Sequence, residues 1–402
     1  MSSAHNAVIH PVSIAFPDTA ASPGRLVFAN RALKAAAGFW YVVVLIGQLI
    51  FAFAIASYFG LTAARGATDK WGRVLTHGII PGDHMGNTAL VVHLFSAVFI
   101  ILSGSIQLLP QVRRFAPKFH RWNGRAYMIT AFTVSLGGLY LMWVRGTVGG
   151  LVAHIAQTID AFLIMLCAVM ALRYALARDF KTHRRWALRL YLVVSASLFV
   201  RAATILFAIG ADPGVTINVV AFAQYLVPLA VLELYLRAQE RGTTTARIAV
   251  ASFLVILTLG LGTGIAAATN TLFKPRIKAA FDTRTSIGDV LAATIASSGI
   301  DAAEQQYHQL KAAAPANYNF AEAELNGLGY QLLRANNFDG AIRIFQLNVK
   351  AYPKSANVWD SLAEGYMGAG NKPLAIANYQ KSLGMNPKNA NAVQMLRKLE
   401  TR

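Results

Sequence analysis

Four histidines, His93, His120, His154 and His183, stand at spacings that suit two facing pairs between helices. His120 follows His93 within the run Phe119-His-Arg-Trp-Asn-Gly-Arg125, and His183 follows His154 and opens His-Arg-Arg-Trp-Ala-Leu-Arg189. The interval from His93 to His120 nearly equals that from His154 to His183. A tyrosine trails each run, Tyr127 and Tyr191, so one hairpin is written twice. Two such hairpins packed as a four-helix bundle bring His93 to His154 near one surface and His120 to His183 near the other. Neutral imidazoles facing each other in pairs suit axial ligation of b-type haem, and haems at both surfaces make an electron path across a membrane. The four histidines are thus expected as haem-iron ligands, with quinone a candidate electron partner. Asp160 and Arg201 join the set because ionisable residues inside apolar runs are costly and default to function. Arg201 lies five turns beyond His183, about 27 Å along a helix. It is expected near the outer pair, holding a propionate or a substrate anion, or pairing with Asp160.

Bland readings of the same residues stand beside this one. His120 and His183 precede their apolar runs amid Arg and Trp, where side chains anchor helix ends and touch lipid head groups. His93 and His154 also read as hydrogen-bonded packing residues. His77 and His84 read as a solvated loop. Cys167 has no disulfide partner and makes no metal site alone, so it reads as a small core residue. Gly260, Gly262 and Gly264 permit close helix contact. The chain has no Gly-rich phosphate loop, no Cys-x-x-Cys, no His-Glu-x-x-His and no nucleophile elbow, which argues against a soluble hydrolase or nucleotide enzyme. No residue is singled out as catalytic.

The elements that must position these residues are transmembrane helices. Hydrophobic residues make up 55% of the 402 residues and charged ones 14%, against roughly 25% charged in a soluble domain. Runs of about 18 or more apolar residues, enough to span the hydrocarbon, fall near 36–59, 88–109, 125–144, 151–173, 186–208, 216–236 and 248–269. A polar tail over 1–35 precedes them. The net charge of +19 raises nucleic acid as a partner, but 22 of the 37 Lys and Arg lie before residue 274, mostly flanking the spans. Arg113, Arg114, Lys118, Arg121 and Arg125 fill one loop and Arg178, Lys181, Arg184 and Arg185 another, which makes these loops cytoplasmic. The expected topology has the N-terminus inside and the C-terminal region outside, in a bacterial inner membrane. Lys274, Arg276, Lys278 and Arg284 run against it.

The fold class expected is all-α: a polytopic membrane bundle of about seven spans, a linker over 271–286, and a soluble helical domain over 287–402. Residues 322–353 and 356–387 align at a period of 34. Leu325, Leu328, Gly329, Leu332, Ala341, Phe345 and Pro353 in the first unit answer Trp359, Leu362, Ala363, Tyr366, Ala375, Tyr379 and Pro387 in the second. Two units alone would be marginal, so a leading pair over Ile287–Lys311 and a closing helix over Ala390–Leu399 are expected. This pattern resembles tetratricopeptide repeats, which implies a groove for a peptide or protein partner.

A second resemblance rests on His93, Gly104, Gln107, Pro110, Arg113, His120-Arg121, Gly124-Arg125, Tyr127, His183 to Trp186 and Arg201. Residues 90–235 resemble an uncharacterised bacterial family of predicted membrane proteins, a domain of unknown function. The order of the histidines is also similar to that of transmembrane di-haem cytochromes of the ascorbate-reducible type. The uncharacterised family supports the grouping of these residues and implies no activity; the likeness to the cytochromes implies a haem-bearing electron carrier, and the repeats imply a partner-binding domain. Two other classes compete. One is a non-catalytic scaffold or sensor; the other is a protein for lipid-like or anionic ligands held by Arg201, Arg121 and Arg125.

Overall fold

The computed structural model describes residues 22–75, 77–146, 150–207, 213–387 and 389–400. Residues 1–21 of the expected tail lie outside them. Helix α1 (Pro23–Ile55) passes through a π-helical turn, 56–60, into α2 (Leu61–Ala64). Next come α3 (His84–Gln107), α4 (Pro110–Phe115), α5 (Pro117–Tyr140), α6 (Gly150–Leu176), α7 (Phe180–Val194), α8 (Ala196–Phe207), α9 (Pro213–Arg241), α10 (Thr244–Ala268) and α11 (Lys274–Phe281). The C-terminal part holds α12 (Ile287–Ala313), α13 (Glu322–Arg334), α14 (Phe338–Ala351), α15 (Ala356–Gly368), α16 (Lys372–Met385) and α17 (Ala390–Glu400).

Among the described residues six segments are each long and apolar enough to cross a membrane: Pro23–Ala64, His84–Gln107, Pro117–Arg145, Gly150–Leu176, Ile217–Arg241 and Thr244–Phe281. Helices α7 and α8, bent by 48° at their junction, pass the same test together. The bend falls at Ser195, whose Oγ donates to the Tyr191 carbonyl at 2.7 Å. Such back-bonding by a hydroxyl one turn on is a known cause of helix bending.

Parity makes the bent pair a crossing. Helices α1 and α10 pack along their lengths in parallel. Arg247 Nη1 donates to Asn30 Oδ1 at 2.9 Å near the start of both, and Phe51 stacks on Phe273 near the end of both, with ring centroids 5.3 Å apart. Parallel spans must have an odd number of crossings between them. Helices α3, α5, α6 and α9 supply four, so α7 with α8 is the fifth. The face where α1 begins is called the near face below, and the other the far face.

Helix α3 packs on α5, α5 on α6, α6 on α7 and α7 back on α3, closing a four-helix bundle. Tyr127, Ala131, Ile164, Cys167, Ala168, Leu190 and Val193 fill its interior, with Tyr225 of α9 packed against them. Small residues at Ala131 and Ala168 let the backbones approach, as in membrane bundles generally. On α1, Val42, Ile46, Leu49 and Phe53 stay exposed, and on α6 so do Ile155, Ile159, Phe162, Leu166 and Val169. Those spacings trace one stripe down each helix, the surface a bilayer covers.

The first helix starts well before the expected span. Pro23 occupies its first turn, where a missing N–H is harmless. Leu33 and Ala36 then bury themselves against Val250, Ala251 and Leu254 of α10. Arg25, Arg31 and Lys34 mark a polar end of this helix, not a coil before it.

At the far face Trp71 is buried, with its ring 5.3 Å from that of Phe59, and Arg65 Nη1 donates to the Ala280 carbonyl at 2.6 Å. The first loop is thereby fastened to α11. A two-residue parallel ladder, β1 (Thr285–Ser286) with β2 (Tyr318–Asn319), departs from the all-α expectation. Helix α12 is broken at Gly299, where φ is +83°, a backbone open to glycine and strained for other residues. Helices α13 and α14, and α15 and α16, then form two hairpins with matching contacts. Asn337 caps α14 and Asn371 caps α16. Asn348 Nδ2 reaches the Glu322 carbonyl at 3.1 Å, as Ser382 Oγ reaches that of Ala356 at 2.8 Å.

Candidate functional site

At the near-face end of the bundle, α3 and α5 are tied by amides. Asn123 Nδ2 donates to Gln107 Oε1 at 2.8 Å and to the Ser103 carbonyl at 3.1 Å, while Ser103 Oγ donates to Asn123 Oδ1 at 3.0 Å. Gln107 Nε2 donates in turn to the His120 carbonyl at 2.9 Å. Gly124 lies against that Gln107 amide, and a Cβ there would push the Gln107 Nε2 aside. His120 begins α5 beside this network, and its Nδ1 is buried without a partner among the described residues.

His183 begins α7 at the same face. Asp179 caps that helix, accepting from the Thr182 N–H at 3.0 Å. His183 Nδ1 lies 2.8 Å from the Ala171 carbonyl of α6. A carbonyl only accepts, so Nδ1 carries a proton, and the tautomer of the neutral ring has its lone pair on Nε2. His120 and His183 are close enough to interact electrostatically. Both histidines thus stand at the near-face end of the bundle, one on α5 and one on α7. Trp122 and Trp186 take no part, because each stacks under an arginine of its own run, Arg125 at 4.9 Å and Arg189 at 4.8 Å from the ring centroid.

His93 lies deeper. It comes between two and three turns into α3, about 14 Å from its start, and rests against Gly137 and Gly138. Its Nδ1 meets the Val134 carbonyl at 3.1 Å, so Nε2 again keeps the lone pair. The ring lines a cavity of ≈ 400 Å³ shared with Gln157, Asp160, Ser197, Arg201 and Gln224. His154 is not among the lining residues. Its ring packs on Trp143 at 5.4 Å, more than a turn beyond Gly138 on the helix carrying both, and its Nε2 is buried without a partner among the described residues. His93 and His154 share the far half of the bundle, offset by about 7 Å along its axis. Arg201 lines the same cavity as His93.

The family described as "Predicted membrane protein (DUF2306)" matches residues 90–236. That stretch runs from α3 through most of α9, so it contains all four histidines, Asp160, Arg201 and the Asn123 network. Helices α1 and α10 and the C-terminal hairpins lie outside it. No curated protein matches this chain, and no solved structure does.

Several residues at the site carry no chemistry-bearing motif. Gln157 stands midway between His154 and Asp160 on one helix face, and that periodicity is the signal for it. Gln224 comes from a distant helix and has no local signal. Asn123 sits inside the His120 run and was legible as a motif residue, not as a fastener. Arg145 seals the far face of α3: its Nη2 donates to Asp83 Oδ2 at 2.7 Å and to Asn87 Oδ1 at 2.6 Å. The Gly86 N–H and the Arg145 guanidinium hold the Asp83 carboxyl below its ordinary range. His77 and His84 join no cluster of three His, Cys, Asp or Glu side chains able to hold a metal ion among the described residues.

Proposed function

We propose that this chain is a bacterial inner-membrane electron carrier whose bundle holds b-type haem, with His120 and His183 as one ligand pair and His93 and His154 as the other. The observation that carries it is the state of two imidazoles: His93 and His183 each commit Nδ1 to a backbone carbonyl, and the His154 Nε2 is buried without a partner among the described residues. A ring N–H on a carbonyl with the other nitrogen left basic is the arrangement that orients a metal-ligating histidine. His93 and His183 fit that arrangement; the His120 Nε2 faces the Gln107 Nε2 donor at 3.5 Å, and His154 stands about 7 Å along the axis from His93, so each second ligand needs its ring to turn. Bound there, haem would supply one-electron chemistry at both faces. The protein's own part is to fix the rotations of His93 and His183 and to set the imidazoles among apolar helices. Arg201, near His93, would offset negative charge at the far-half site.

The hairpins of α13 to α16, with matching contacts one repeat period apart, support a reading as tetratricopeptide repeats that recruit a protein or peptide partner. The Arg-rich near-face loops support a cytoplasmic near face, with the repeats periplasmic. The test is a reduced-minus-oxidised visible spectrum of full-length protein purified from haem-sufficient cells. A b-type signal near two haems per chain is expected; a flat spectrum from folded protein overturns the reading.

A further inference from the structure

The cavity around His93 holds a charge that the protein does not match. Arg201 points into a space otherwise lined largely by aliphatic side chains. Its Nη1 donates to the Ser197 carbonyl and its guanidinium lies 4.6 Å from the Phe51 ring centroid. No carboxylate reaches ion-pair distance of it among the described residues, and Arg276 lies close enough to repel it. Asp160 lines the same cavity at 7% exposure, with Oδ1 buried and unpartnered. A guanidinium has five N–H donors, and leaving a charge uncompensated inside an apolar bundle is unfavourable.

We propose that this cavity is a recognition site for an organic carboxylate with an apolar body, the carboxylate received by Arg201 and a hydroxyl at the far pole received by Asp160. A carboxylate matches the planar fork of arginine with two parallel hydrogen bonds, and a cavity of ≈ 400 Å³ is of the size that small organic ligands occupy. The aliphatic walls between the two poles take the body. The carboxylate has two sources, a free organic acid or an acid arm of haem, and the inference stands beyond the electron-carrier reading because it does not require haem.

The test titrates full-length protein in detergent with 4-hydroxybenzoate and with benzoate by calorimetry, using preparations from haem-sufficient and haem-starved cells. Saturable binding of 4-hydroxybenzoate is expected, weakened about tenfold or more in Arg201→Gln. The preference for 4-hydroxybenzoate over benzoate should disappear in Asp160→Asn. Binding to both preparations makes a free acid the occupant; binding only to the haem-starved one makes it an arm of haem. Should Arg201→Gln fail to fold, Arg201→Lys keeps the charge without the fork and gives a smaller loss. Absence of saturable binding in both preparations, or unchanged affinity in a folded Arg201 variant, overturns the proposal. The visible spectrum is read separately, so either idea can fail alone.

Discussion

His183 on α7 donates from Nδ1 to the Ala171 carbonyl on α6 at 2.8 Å, which links the two arms of a hairpin and decides which ring nitrogen stays basic. Replacing His183 by alanine removes both effects. We expect His183→Ala to lose about half of the b-type absorbance and to lower stability by about 1 kcal/mol, the worth of one hydrogen bond. Difference spectroscopy and thermal unfolding in detergent read the two effects separately. Loss of stability with the spectrum intact would remove His183 from the ligand set.

Asn123 makes a different prediction, because its side chain joins α5 to α3 through Ser103 and Gln107. Asn123→Ala strands the Gln107 and Ser103 groups it satisfies, at about 1–3 kcal/mol. Gly124→Val should be at least as damaging, since its side chain would occupy the space of the Gln107 amide. Both variants should lower Tm, and an unchanged Tm for both would mean that the α3–α5 contact does not depend on this network.

The contrast between these two residues shows what the sequence conveys. Apolar runs and histidine spacing pointed to the spans and the four-helix ring, because a residue's place along a span follows from counting at the fixed rise of a helix. The start of α1 was less legible, since Arg25, Arg31 and Lys34 resemble a tail until Leu33 and Ala36 are seen packed on α10. The level of His154 was harder still. Counting put His93 and His154 at one height, but the spans they belong to enter at different depths: His93 rests on Gly138 and His154 on Trp143. Gln224 was invisible because α9 reaches the cavity only in three dimensions.

Asp83 gives a pH dependence with a definite sign. The Gly86 N–H and Arg145 stabilise its charged form, so its folded value lies below the ordinary 3.8. A lowered carboxyl contributes stability that is fully present above the unfolded value and is lost as pH falls through the folded one. The Tm gap between wild type and Asp83→Asn should be constant from about pH 5 to pH 7 and close below about pH 4. A gap that widens on acidification would contradict this sign.

The two C-terminal hairpins should respond alike to equivalent changes. Asn348→Ala and Ser382→Ala each remove a contact to the first helix of the hairpin, at the Glu322 and Ala356 carbonyls, and Ser382→Ala also removes the bond its Oγ accepts from Asn389 Nδ2. Each should destabilise that part by about 1–2 kcal/mol, read by hydrogen exchange of the hairpin amides. An effect at only one site would show that the hairpins differ in how they are held.

The parallel course of α1 and α10 carries the last prediction. Seven crossings place the loop with Arg113 and the loop at Gly299 on opposite sides of the membrane, whereas six would place them on the same side. The natural Cys167 is buried in the bundle, so Cys167→Ala gives a background for single reporters. Exposed Arg114 and Ser298 are replaced one at a time by cysteine and probed in intact cells with a membrane-impermeant maleimide. One of the two should label without permeabilisation and the other only after it. Equal behaviour would mean that the bent α7–α8 pair turns back instead of crossing. If Ser298→Cys is the one that labels in intact cells, the near face is cytoplasmic and the hairpins face outward; if Arg114→Cys labels instead, the crossing number stands and the proposed orientation inverts.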